Sequence, residues 1–142
     1  MTLYLDTSSL VKLYIAEEGS DAVRAEVTAA RVISTSAIAY TEARAAFARL
    51  RRERALTGPA LASLKRALDA DWGSYVTLDV TGLICREAGE LAERFRLRAY
   101  DSVHLATFAY IARRAGIESA RFSSYDVFLK EAAAKLVRQL RS

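Results

Sequence analysis

The sequence predicts an α/β fold: a three-layer α/β/α sandwich around a mostly parallel central sheet. Three observations carry that expectation. Short apolar runs rich in β-branched or aromatic residues recur at about 2–6, 32–35, 75–78 and 120–123. Longer stretches of helical periodicity lie between and after them, at about 8–16, 20–30, 36–54, 59–71, 82–95, 101–115 and 126–136. Gly19, Gly58-Pro59, Gly73 and Gly116 break the periodic stretches from one another. Strands that alternate with helices need long crossovers, which make the strands parallel and cover both faces of the sheet.

The first strand is Leu3-Tyr4-Leu5, closed by Asp6 and followed by Thr7-Ser8-Ser9, so Asp6 reads as the residue where strand turns into helix. After the Gly19 break a second helix leads to the strand at 32–35. Two consecutive helices then follow, separated by Gly58-Pro59, with proline suited to the first turn of the later one. They form an insertion-like hairpin before the strand Tyr75-Val76-Thr77-Leu78. A further short strand is conceivable at 95–99, although Arg96 and Arg98 argue against it. Asp101 opens the next long helix, and Arg121-Phe122-Ser123-Ser124-Tyr125 runs into Asp126 as the first strand runs into Asp6.

A chain of 142 residues is expected to be one domain, long enough to bury about two thirds of its unfolded surface without staples. With 52% hydrophobic residues, one Pro, six Gly and no repeat or low-complexity tract, nothing suggests a linker or disordered tail. The net charge is +4, and arginine far outnumbers lysine, which modestly favours a polyanionic partner. Cys85 is the only cysteine, which excludes an internal disulfide; beside Leu83 and Ile84 it reads as an inert buried thiol in a reducing compartment. Neither a secretory leader nor an uncharged stretch of ~18 residues is present, so a cytoplasmic protein without a membrane span is expected.

Four acids stand out: Asp6, Glu42, Asp101 and Asp126. In open α/β sheets the functional crevice lies beyond the carboxyl ends of the strands, which is where Asp6 and Asp126 end up. Taken singly, Asp6, Asp101 and Asp126 also read as helix N-caps, and Asp79 occupies such a position with no chemistry attached. Glu42 is different, since it lies inside a helix on the face shared by Ile38, Ala45 and Ala46. A carboxylate there needs a partner; a salt bridge to Arg49 is one reading, a place in an acidic cluster the other. Carboxylates gathered at ~4 Å repel by about 4 kcal/mol per pair at an effective dielectric near 20, which a divalent cation would offset. An all-oxygen set with no His/Cys ligands points to Mg²⁺ or Mn²⁺ and to phosphodiester chemistry, with one ion or two.

Three blocks carry a resemblance: Leu3-Tyr4-Leu5-Asp6-Thr7-Ser8-Ser9-Leu10-Val11-Lys12-Leu13-Tyr14, then Ser36-Ala37-Ile38-Ala39-Tyr40-Thr41-Glu42, then Leu97-Arg98-Ala99-Tyr100-Asp101-Ser102-Val103-His104-Leu105-Ala106. Together, over nearly the whole chain, they resemble the PIN domain and in particular its VapC-type toxins. The resemblance implies a Mg²⁺-dependent ribonuclease, the toxin of a toxin–antitoxin pair, with an RNA substrate, a cognate antitoxin and a homodimeric state. It implies Asp6, Glu42 and Asp101 as the core acids and Asp126 as a more variable fourth, with Ser124 an alternative for that position. It further implies that Thr7 or Ser8 supports the site by hydrogen bonding.

His104 is the only histidine, so RNA cleavage by a histidine pair is excluded within one chain; it is expected to pack or hydrogen-bond beside Asp101. Ser8 and Ser9 read as helix-start caps, and no G-x-S-x-G, P-loop or G-x-G-x-x-G occurs. Arg44, Arg49, Arg51, Arg52 and Arg54, with Lys65-Arg66, form either a solvated helix end or a groove for the RNA backbone, with Arg49 and Arg52 taken as the candidate RNA contacts. Tyr40, Tyr100 and Trp72 are candidates for base stacking or for core packing. Two rivals remain: a catalytically silent PIN-like RNA-binding or scaffold module, and a phosphatase or receiver-like protein with Asp6 as phosphoryl acceptor. The second lacks the usual neighbouring acid, because Thr7, Ser8 and Ser9 follow Asp6.

Overall fold

Leu3, Tyr4 and Leu5 are completely buried, as a continuous apolar run should be in a strand covered on both faces. In the computed structural model, which describes residues 1–142, this run is β1 (Thr2–Leu5). It pairs in parallel with β2 (Val32–Ser36) on one side and β4 (Ala120–Ser123) on the other, and β3 (Val76–Leu78) pairs with β2. The sheet is all-parallel with strand order β3-β2-β1-β4.

Side chains alternate across a strand, and β1 divides the core accordingly. Tyr4 joins Leu105 and Phe108 of α6 (Ala99–Ala115), Ile84 and Leu91 of α5 (Gly82–Phe95), and Leu129 of α7 (Val127–Arg141). Its ring stacks on Phe122 of β4 at 5.5 Å. Leu3 and Leu5 face the other way, against Leu10 of α1 (Thr7–Val11), Val23 of α2 (Ser20–Ala29), Phe47 of α3 (Ile38–Arg52) and Leu68 of α4 (Gly58–Trp72). These are the three layers that the alternating pattern predicts. No helix is long and apolar enough to cross a membrane.

Four expectations need correction. The first helix ends at Val11 rather than near 16, because the next backbone bonds tighten to three-residue spacing, from Lys12 N–H to Ser9 C=O and from Leu13 N–H to Leu10 C=O. No strand forms at 95–99: Arg96 takes the left-handed conformation that closes α5, and Leu97 and Arg98 lead directly into α6. The inward stripe of α3 is Ala39, Ala43 and Phe47, one position round from the stripe expected, and Ala45 is exposed. Cys85 is exposed, because Ile84, Ala88 and Leu91 form the buried side of α5.

Parallel pairing sends the carboxyl ends of all four strands to one edge of the sheet. There Leu5 lies opposite Ser123, and the Asp6 N–H donates to the Ser123 carbonyl at 3.1 Å. Residues 117 positions apart, Ser8 and Tyr125, are joined by a bond from the Tyr125 N–H to Ser8 Oγ at 2.9 Å. Nearby, Gly19 has φ +90°, and a Cβ added there would meet the Tyr125 ring at 2.8 Å. Glycine is therefore required, both for its backbone angle and for the ring that lies on it.

Candidate active site

Asp6 is the N-cap of α1 and also the inner wall of a cleft of about 160 Å³ at this edge. One carboxylate oxygen accepts from the Ser9 N–H (2.9 Å) and Ser8 Oγ (2.7 Å), the other from Ser124 Oγ (2.5 Å). Asp126 likewise caps α7, accepting from the Leu129 N–H at 2.9 Å, and presents its other oxygen to the cleft. For these two residues capping and membership of the cluster are the same placement. Asp101 lies in the first turn of α6 and is buried, with only Arg98 as a partner.

Glu42 is held from two sides. Thr7 Oγ1 donates to its Oε1 at 2.7 Å, and His104 Nε2 meets the same oxygen at 2.9 Å. Because the Thr7 hydrogen is already committed to Glu42, His104 Nε2 must carry the proton, and Nδ1 then accepts from the Tyr4 hydroxyl at 2.8 Å. The tautomer follows from this network. His104 is thus one turn deeper than Asp101, linking the core to Glu42 rather than lying against Asp101. The salt-bridge reading of Glu42 is overturned: Arg49 pairs with Glu53 at 3.6 Å on the exposed end of α3, two turns away.

The other expected positions separate clearly. Ser124 is buried and holds Asp6 while accepting from the Asp126 N–H, so Ser124 and Asp126 occupy distinct places. Thr7 and Ser8 each donate to an acid. Arg49 and Arg52 are exposed and lie outside the cleft. Tyr40 and Trp72 pack edge to face at 5.3 Å between α3 and α4, whereas Tyr100 lines the cleft and is partly open to solvent. Larger hollows lie along α5 and beside β3, but they gather no comparable set of acids.

A parallel sheet in this order, with acids from β1, α3, α6 and the start of α7 at its carboxyl edge, invites comparison with known families. The PIN domain model matches residues 3–137. The chain belongs to the PIN domain family. Ribonuclease VapC45 of Mycobacterium tuberculosis is 35% identical over 105 residues, covering 74% of this chain and 73% of that protein. Ribonuclease VapC46 of the same species is 33% identical over 141 residues, covering 94% and 92%. Among solved structures, M. tuberculosis VapC20, described as a Sarcin-Ricin loop cleaving toxin, superposes with a TM-score of 0.61 at 19% identity, over 87% of this chain and 91% of that one. These relatives put the present PIN domain with the VapC-type members.

The acids of this PIN domain are tuned in opposite directions. Burial alone would raise the Glu42 carboxyl, but the bonds from His104 and Thr7 reverse this and hold it below its ordinary value. Burial raises the Asp101 carboxyl, and the nearby Asp126 raises it further, more than Arg98 can offset. Glu42 is therefore held ionised, whereas Asp101 is held above its ordinary value even with Arg98 beside it. Sequence reading assigned Arg98 no role in the site, although it lies in the block that contains Asp101. Its spacing of three from Asp101 at a helix start was the available signal. Nε lies 3.3 Å from Asp101 and Nη2 3.4 Å from Asp126, so the guanidinium spans α6 and α7.

Proposed function

We propose that this PIN domain is a Mg²⁺-dependent endoribonuclease, with Mn²⁺ able to substitute, and that it is the toxin of a toxin–antitoxin pair. The observation that carries the reading is the gathering of Asp6, Glu42, Asp101 and Asp126 from four elements in one cleft, with Asp101 pushed up by burial and by Asp126. The ribonuclease names of VapC45 and VapC46 support the reaction class. The donor set is all oxygen, which suits a hard cation. Asp6, Asp101 and Asp126 would hold it, with Glu42 beside them. When bound, such an ion supplies charge neutralisation on phosphate and an acidified water.

The chain's own residues do the positioning. Ser8, Ser124 and the Ser9 N–H fix both oxygens of Asp6, which makes that acid a rigid ligand and a poor phosphoryl acceptor. His104 and Thr7 occupy Oε1 of Glu42 and leave its other oxygen for the cleft. A carboxyl lowered in this way stays ionised, so Glu42 orients water as a charge more than it stores a proton. The single histidine has both ring nitrogens engaged, so it is unsuited to acid–base cleavage. Attack by water on phosphorus predicts products with 5′-phosphate and 3′-hydroxyl ends, none of them formed in the presence of chelator. Products ending in 2′,3′-cyclic phosphate would identify the ribose hydroxyl as nucleophile and sink this mechanism.

One observation favours the silent RNA-binding alternative: no three His, Cys, Asp or Glu groups stand close enough to hold a metal as arranged, and a guanidinium spans two of the acids. Thermal melting decides between the two readings. Millimolar Mg²⁺ or Mn²⁺ should raise the melting temperature, since a ligand that binds only the folded state stabilises it by mass action. No shift with either ion would favour the silent module.

An active ribonuclease needs restraint in its own cell, so we assign a cognate antitoxin whose cationic side chain can enter the acidic cleft. A homodimer is the assembly proposed, checked by sedimentation. We also propose that Arg49 and Arg52 guide RNA. Replacing both with Gln should weaken binding to all sequences alike and flatten its salt dependence by about 0.7 log unit per lost single-strand contact. An unchanged slope would assign them to the solvated helix end.

A further inference from the structure

The one cation that lines the acidic cleft is Arg98. Lys12, on the α1 side, is committed elsewhere, to Glu17 and the Glu18 carbonyl. Arg98 is attached less firmly than its position suggests. Its contacts to Asp101 and Asp126 are 3.3 and 3.4 Å, long against the ~2.7–2.9 Å of strong charge-assisted bonds. Its side chain is 65% exposed and lies over the Tyr100 ring at 4.8 Å. Its backbone, by contrast, is pinned, because the Arg98 carbonyl accepts from both the N–H (3.0 Å) and the Oγ (2.9 Å) of Ser102. A loosely held fork therefore pivots from a fixed point at the mouth of the cleft.

We propose that Arg98 is a phosphate ligand for the RNA substrate, held across Asp101 and Asp126 until a divalent cation takes its place there; the inference rests on the metal-dependent reading above. Two acids that share one guanidinium have a resident counter-charge, and a cation of twice the charge competes for the same oxygens. Once released, the guanidinium keeps five N–H donors in a planar fork that matches phosphate geometry, while Tyr100 supports its flat face. Arg98 thereby serves as a counter-ion before the metal binds and as a substrate clamp afterwards.

The test compares the full chain with Arg98→Gln. Mn²⁺ binding is followed by electron paramagnetic resonance, and single-stranded RNA binding is measured at saturating Mn²⁺, with Glu42→Gln in both proteins to suppress cleavage. Removing the competing charge should tighten Mn²⁺ binding about three- to tenfold. RNA affinity should fall about fivefold or more, with the salt slope reduced by about 0.7 log unit. Unchanged or weaker Mn²⁺ binding by the variant, or unchanged RNA affinity, would overturn the proposal while leaving the metal-dependent reading in place. A parent chain that binds no Mn²⁺ at all would overturn both.

Discussion

Asp101→Asn should reduce RNA cleavage by roughly 10³-fold while leaving the metal-free protein at least as stable as the parent. Both halves follow from the position of the side chain. Asp101 caps no helix, since Arg98 is the N-cap residue of α6, and its only bond is to that exposed guanidinium. Its carboxyl is raised by burial first and by Asp126 next, so the folded state disfavours the ionised form. A carboxyl whose pKa is higher in the folded than in the unfolded chain binds more protons when folded. Stability then falls as pH rises through that range. Asparagine removes this cost. The gain should be present at neutral pH in chelator and should fade as pH falls toward the ordinary value of 3.8. Initial rates on RNA and melting curves in chelator check the two halves separately. Full activity in the variant would remove Asp101 from the site. A large stability loss would make its role structural.

His104→Ala should cost about 3 kcal/mol of stability and lower activity with it. The ring is 1% exposed and fills space between Tyr4 and Glu42. Truncation leaves a cavity, and large-to-small changes at buried sites cost about 2–5 kcal/mol. It also takes the acceptor from the completely buried Tyr4 hydroxyl and a donor from Glu42, and a buried polar group left unpaired costs about 1–3 kcal/mol. Without His104 the burial of Glu42 is opposed only by Thr7, so the Glu42 carboxyl should rise. Chemical denaturation measures the first effect, and the acid limb of the pH–rate profile, displaced upward, reports the second. His104→Gln, which keeps one acceptor and one donor, should recover part of both. Equal stability of the alanine variant and the parent would show that this network contributes nothing to the fold.

Much of the fold and of the candidate site was legible in order of residues. Leu3-Tyr4-Leu5 and Arg121-Phe122-Ser123 are short apolar or mixed runs bounded by turn chemistry, and they became β1 and β4. Asp6 and Asp126 end those runs, and both cap the helices that follow. The resemblance of three blocks was enough to indicate the PIN fold, which family membership bears out. Helix faces were less legible. A stripe drawn through Ile38, Ala45 and Ala46 missed the true face by one residue, about 100° of helix, because alanine is as common on the outside of α3 as on the inside.

What the sequence by itself determined is whatever depends on neighbours in the chain: the alternation of strand and helix, the break at Gly19 and the one just before Gly58-Pro59, and acids set where strands become helices. Strand order and the partners of each acid were decided only by the tertiary structure. Glu42 could have met Arg49, seven residues away on its own helix, and instead meets Thr7 and His104 from β1–α1 and α6. Asp6 is held by Ser124, which is distant in the chain and adjacent only because β4 pairs with β1 in a fixed register. Arg98 spans two acids for the same reason, since α6 and α7 start at one edge of one parallel sheet. Local periodicity encodes which residues form an element. Which residues then touch is set by register and packing, and these bring together groups that no nearby sequence relates.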